Sequence, residues 1–214
     1  NTDIYIRTND TLSPHFKQDI AMLDGLSIKG YVLPKAMPTG VALLESLTDK
    51  DIIPIIESPM AFLRVEDVAK SKQVTGLLLG AEDFTKEMSI NRSVGGTEIF
   101  YIRSHIAIVC HAYQLMAIDT PYTGKEVDAD LMFDATNAQT LGFTAKSIIH
   151  PNHVDVINQV FAPNKEEIIQ SLRIIKKAEQ EGKGAFSLDG KMVDLPIIEK
   201  AKKVIEKAKR YNLL

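Results

Sequence analysis

Residues 52–62 read IIPIIESPMAF, and the way this stretch ends decides how the rest of the chain is read. An aliphatic run stops at one carboxylate, Glu57, which is followed by Ser58 and Pro59. A strand of aliphatics without polar alternation is buried on both faces, and such strands belong to parallel sheets covered by helices. Ser58 then offers a hydroxyl N-cap and Pro59 a first helical position, so a helix is expected from there to about residue 70. Residues 76–84, GLLLGAEDF, repeat the arrangement, with an aliphatic run followed closely by Asp83. In open parallel sheets and in (β/α)8 barrels, ligands bind at the rim formed by the C-terminal ends of the strands. Glu57 and Asp83 are therefore the first candidate site residues.

Working outward, further strands are expected at 4–8 (IYIRT, carrying Arg7 at its end), 31–33, 116–119 (MAID) and 145–149. Between them, helical spacing predicts helices at 16–26, 40–47, 97–113, 128–141 and 153–161. Residues 82–96 are polar and glycine-bearing, and a connection of that length in a compact domain is usually functional. Strand–helix units in succession predict a parallel sheet with right-handed crossovers. Six such units are visible where a barrel has eight. The chain opens at Asn1, without an initiator methionine, in what reads as the middle of a fold. The expected fold is thus α/β, a (β/α)8 TIM barrel lacking its first two βα units, over residues 1–163. Residues 164–214 are expected to form a C-terminal helical lid or oligomerisation segment: a charged helix at 165–181, a glycine-rich piece at 182–190 (GKGAFSLDG), and a helix at 196–211. In that last helix Ile197, Ile198, Ala201, Val204, Ile205 and Ala208 fall on one apolar stripe.

Composition narrows the function classes. Of 214 residues, 45% are hydrophobic and 25% charged, as in an ordinary soluble enzyme, and a formal charge of −3 provides no broad basic field for nucleic acid. No run approaches the roughly 20 apolar residues of a membrane span. The single cysteine, Cys110, lies in the apolar run IAIVC and has no partner for an internal disulfide, so a buried inert thiol and a reducing, cytoplasmic compartment are expected.

Carboxylates at the ends of adjacent strands lie close together, because neighbouring strands are roughly 5 Å apart. Two like charges so placed call for a cation, and hard oxygen ligands suit Mg2+, which takes one or two carboxylates and keeps waters that substrate oxygens displace. The plainer alternative is that Glu57 caps the helix after it and Asp83 serves its loop. Arg7 has the planar fork that clamps a substrate carboxylate, or it is a surface arginine. His150 and His153 have zinc-like spacing, but a proline separates them and no third ligand is evident. Asp194, ahead of Leu195 and Pro196, has the form of an N-cap.

Taken together, IRTND at 6–10, VLPK at 32–35, IIESPMAF at 55–62, GAEDFTKEM at 80–88, AIDTPY at 117–122, LGFTAKSIIHPNHV at 141–154 and GAFSLDGKMVDLP at 184–196 resemble the citrate lyase beta-subunit-like family, which includes malyl-CoA and citramalyl-CoA lyases. The resemblance implies a (β/α)8 barrel, Mg2+, and carbon–carbon cleavage of a 3-hydroxyacyl-CoA thioester to acetyl-CoA and a 2-keto acid, commonly by a homotrimer. By position it makes Glu57 and Asp83 the metal ligands, Arg7 and Glu57 the substrate-binding residues, and Asp194 a catalytic acid reaching a neighbouring subunit's site. The IIHP sequence at 148–151 looks more like the stand-alone lyases than the citrate lyase subunits. Thioester hydrolysis, aldol cleavage of free keto acids and a non-catalytic subunit are the competing readings.

Overall fold

The computed structural model describes residues 2–182 and 184–214. Asn1 and Lys183, the latter inside the glycine-rich piece at 182–190, lie outside the described residues. The chain divides into two compact units between Ile157 and Asn158.

The first unit is built on six strands: β1 (Tyr5–Arg7), β2 (Gly30–Leu33), β3 (Asp51–Ile56), β4 (Gly76–Leu79), β5 (Met116–Asp119) and β6 (Ala145–Lys146). Each pairs in parallel with the next, in the order β1-β2-β3-β4-β5-β6. A sequential order has no switch point of the doubly wound kind, so the sheet is wound in one sense and curls as a half-barrel. No β1–β6 pairing closes it among the described residues. The described strands thus establish the α/β half-barrel and not a complete eight-stranded barrel. The aliphatic run of β3 is buried as its composition requires, with Ile52 and Ile56 fully inaccessible. Pro54 stands inside it without an N–H. Its position is accommodated because the β3–β4 register slips by one residue there, from Ile52↔Val74 to Ile55↔Leu78.

The crossovers are helical: α1 (Phe16–Leu23), α2 (Pro38–Glu45), α3 (Pro59–Leu63), α4 (Val65–Ala69), α5 (Ala81–Glu87), α6 (Phe100–Ala112) and α7 (Ala129–Thr140), with α8 (Val154–Phe161) after β6. Three expectations need correction. The single helix after Ser58 is two, because Arg64 leaves the helical region (φ −116°, ψ 14°) although the apolar spacing runs on through it. Much of the long loop at 82–96 is α5. Phe84 is buried, and Glu82 and Asp83 in its first turn and Lys86 in its last complement the helix dipole. The expected strand at 145–149 is paired only at Ala145 and Lys146.

The second unit comprises α9 (Lys165–Glu181), an antiparallel hairpin of β7 (Phe186–Leu188) and β8 (Lys191–Val193), and α10 (Leu195–Arg210). Asn164 and Glu167 form a reciprocal capping box at the start of α9. The hairpin turns on Asp189 and Gly190, both at positive φ (53° and 76°), the pairing of residue types that a tight two-residue turn favours. Ile174, Phe186, Val193 and Ala201 make the small core. Of the α10 stripe, Ala201 and Ala208 are buried and Ile197 is 38% exposed. No helix among the described residues is long and apolar enough to cross a membrane.

Candidate active site

Parallel strands present all their C-terminal ends on one side. Arg7 ends β1, Glu57 follows β3, Asp83 lies in the first turn of α5 after β4, Thr120 follows β5 and Ser147 follows β6. All five line one open cleft of about 370 Å³. Arg7, Glu57 and Asp83, predicted from separate motifs, are therefore brought together.

Glu57 is 6% exposed. Its Oε1 accepts a hydrogen bond from the Lys35 backbone amide at 2.7 Å. Burial pushes its carboxyl pKa up; the Lys35 amide counters this, the negative charge of Asp83 adds to the rise, and Arg7 and the Lys35 charge oppose it, with a net result above the ordinary value. This buried acid shares its cleft with a second carboxylate, and the Arg7 and Lys35 charges only partly offset its burial. That is the donor set a hard divalent cation satisfies, with oxygen ligands from the protein and remaining positions left to water or substrate. The described residues gather no group of three or more His, Cys, Asp or Glu side chains that suits a metal. His150 and His153 pack ring against ring at 5.4 Å. His105 packs against Phe62, and the His111 ring nitrogen meets the Gly142 carbonyl at 2.9 Å.

Beside the cleft lies a charged cluster that sequence reasoning saw only in part. Asp119, the last residue of β5, takes a bidentate hydrogen bond from Arg103 on α6, Nε to Oδ1 and Nη2 to Oδ2, both 2.9 Å. Arg103 Nη2 also donates to Asp134 on α7 at 2.6 Å. Lys146 on β6 pairs with Asp119 at 2.5 Å and Asp134 at 2.6 Å, and donates to the Thr120 carbonyl at 2.7 Å. All four side chains are almost wholly buried. Burial works against charge on Asp134, but Lys146 and Arg103 outweigh it and hold its carboxyl below the ordinary range. The cluster reaches the site through Thr120, whose Oγ1 accepts from the amide of Ala81 at 3.2 Å and so ties down the start of the helix carrying Asp83. A lysine at a strand end and an arginine inside an apolar helix were the available signals. Neither names its partner.

Cys110 is fully buried, and burial pushes its thiol up to about 12, consistent with an inert core residue. Asp194 belongs to the second unit. There it is the N-cap of α10, its Oδ1 accepting from the Ile197 amide at 3.4 Å.

Comparison with known proteins places these features in a family. The family model described as HpcH/HpaI aldolase/citrate lyase matches residues 1–151. The chain is 37% identical over 158 residues to the citrate lyase subunit beta of Haemophilus influenzae, an alignment covering 72% of this chain and 54% of that protein. It is 32% identical over 167 residues to the human mitochondrial citramalyl-CoA lyase, covering 72% and 49% respectively. The chain thus spans about half the length of these curated relatives. Its fold is shared with the crystal structure of the protein CitE from Mycobacterium tuberculosis in complex with magnesium, acetoacetate and coenzyme A, at a TM-score of 0.80 and 24% identity over 96% of this chain and 78% of that one. With the family model covering both candidate metal carboxylates and the arginine of the cleft, the chain belongs to the HpcH/HpaI aldolase/citrate lyase family.

Proposed function

We propose that this chain is the core of a Mg2+-dependent carbon–carbon lyase that cleaves a 3-hydroxyacyl-CoA of the malyl, citramalyl or citryl type to acetyl-CoA and a 2-keto acid. The observation that carries the proposal is the convergence of Arg7, Glu57 and Asp83 on one cleft at the C-terminal ends of the strands. The names of the relatives and the magnesium and coenzyme A of the structural neighbour agree with it.

Glu57 and Asp83 would hold the metal, which when bound supplies Lewis-acid stabilisation of negative charge on a substrate oxygen. Arg7 contributes orientation: its fork binds the carboxylate of the acyl chain by paired hydrogen bonds, fixing which carbon–carbon bond faces the site. In the reaction the hydroxyl proton passes to water, the carbinol carbon becomes the keto carbon, and the electron pair of the broken bond passes to the carbon beside the thioester. That carbon must then receive a proton. Asp194 is the proposed donor, supplied by the C-terminal segment of another copy in a cyclic homotrimer, where it would reach over the cleft. The lone buried cysteine suits a reducing, cytoplasmic setting.

The test is to incubate the chain with Mg2+ and, separately, malyl-, citramalyl- and citryl-CoA, following acetyl-CoA, keto acid and free thiol together. Acetyl-CoA and keto acid in equal amounts are expected from at least one substrate. Free thiol without keto acid would replace lyase by thioesterase, and no product from any of the three would overturn the reading.

A further inference from the structure

The residue that turns the chain after β2, Lys35, is in the left-handed region at φ 47°. A residue with a Cβ is strained there, and persists only where the surroundings over-determine it. Its side chain does not explain the conformation, because the pair it makes with Asp10 (3.1 Å) is solvent-exposed on the lysine side and such pairs are weak. Its backbone does. The turn is pinned by Leu33 paired with Pro54 before it and by the Ala36 amide on the Ile55 carbonyl (3.3 Å) after it. Between these anchors the left-handed residue sends its amide into Glu57 Oε1 at 2.7 Å, a charge-assisted bond to a buried carboxylate.

The other side of Glu57 is closed by Gly80. This glycine has an ordinary negative φ of −98°, so conformation does not demand it. Space does. A Cβ there would lie 2.5 Å from Glu57 Cβ, 2.9 Å from Ile55 Cγ2 and 3.0 Å from Glu57 Oε2. The glycine cannot retreat, because its amide donates to the Ile56 carbonyl at 3.0 Å and holds it to β3. Three residues on, the same segment carries Asp83.

We infer that Lys35 and Gly80 are positioning residues for the metal site: the left-handed amide of Lys35 engages Oε1, and the bare Cα of Gly80 lets Glu57 stand where Oε2 is available beside Asp83. The inference rests on the reading of Glu57 and Asp83 as metal ligands, and predicts that the lysine side chain and its charge matter far less to the metal than the backbone at 35 does. What matters is the sign of φ at 35 and the absence of a Cβ at 80.

Mn2+ binding to the full chain, followed by the loss of its free-ion electron paramagnetic resonance signal, tests this without turnover, alongside thermal melting to report on the fold. Gly80→Ala and Lys35→Val should each weaken Mn2+ by about tenfold or more, the range seen when the supporting shell of a metal ligand is disturbed, whereas Lys35→Gly should stay within about threefold. Glu57→Gln and Asp83→Asn serve as references. If these two bind Mn2+ as tightly as the unaltered chain, the metal reading itself fails. If they lose it while folded Gly80→Ala and Lys35→Val retain full affinity, the metal site stands and the positioning role is overturned. Should Gly80→Ala not fold, Lys35→Val against Lys35→Gly decides, and equal affinity in that pair overturns the inference.

Discussion

Two groups of charge sit side by side on the half-barrel and differ in how they are balanced. Around β5 and β6, Arg103 and Lys146 face Asp119 and Asp134, two cations against two carboxylates, buried and mutually hydrogen-bonded. Around β3 and β4, Glu57 is buried with a neutral amide as its hydrogen-bond donor and Asp83 as a like-charged neighbour. The first group is complete within the chain. The second is balanced only in part, since the Arg7 and Lys35 charges do not outweigh the burial of Glu57, and the difference separates a structural cluster from a candidate ligand site. Folding alone does not assemble uncompensated charge, since an unpaired buried ion costs more than it returns.

The largest expected effect breaks the balanced cluster. Lys146→Met leaves Asp119 and Asp134 sharing one cation, and removing one partner of a buried ionic group costs about 3–5 kcal/mol, read as a fall in the urea midpoint. An unchanged midpoint would mean that the cluster is not what holds this side of the sheet. Next, Glu57→Gln and Asp83→Asn should leave the urea midpoint measured with Mg2+ almost unmoved yet lower Mg2+-dependent lyase turnover by roughly a hundredfold or more, about 2.7 kcal/mol of lost transition-state stabilisation. A variant that turns over normally at limiting Mg2+ would remove its residue from the site.

A smaller effect concerns Asp194. Replacing an N-cap aspartate by alanine costs typically about 1 kcal/mol, whereas asparagine preserves the cap and discards the acid. Asp194→Asn should therefore melt like the unaltered chain and still lose turnover. Mixed with Glu57→Gln under conditions where subunits exchange, it should recover part of the activity if the acid acts from another copy. Exchange without recovery would confine Asp194 to its helix.

The smallest and most diagnostic effect is the opposite pH response of two carboxylates. Asp134 is held below its ordinary value of 3.8, so its contribution to stability is present above that value and is lost as pH falls through the lowered folded pKa. Glu57 is held above 4.5, so the folded state binds its proton more tightly than the unfolded one. Its favourable contribution is present below 4.5 and is lost as pH rises through the raised folded pKa. In metal-free protein the melting-temperature difference between the unaltered chain and Glu57→Gln should open over that rise, to the disadvantage of the unaltered chain. Added Mg2+ should close it. A difference insensitive to Mg2+ would detach the titration from the metal.

Much of this was legible in the chain itself. The aliphatic runs of β3 and β4 announce a buried parallel sheet because burial on both faces leaves no polar alternation, and Ser58–Pro59 announces the helix start because the cap is a local hydrogen bond, realised between Ser58 Oγ and the Ala61 amide at 3.1 Å. The motifs placed Arg7, Glu57 and Asp83 at strand ends, where parallel topology was bound to collect them. The break at Arg64 had no glycine or proline to mark it, and the helix at 81–87 was masked by its acids, which read as loop while serving the dipole. The rest was decided in three dimensions. Arg103 finds Asp119 across 16 residues and Lys146 finds it across 27, and no pattern in one dimension says which of many charges will meet in a dry interior. The same holds for Gly80 and Lys35. That a glycine at ordinary φ leaves room for a carboxylate, and that a lysine's amide rather than its charge engages one, depends on strands β2, β3 and β4 being laid side by side in their particular register.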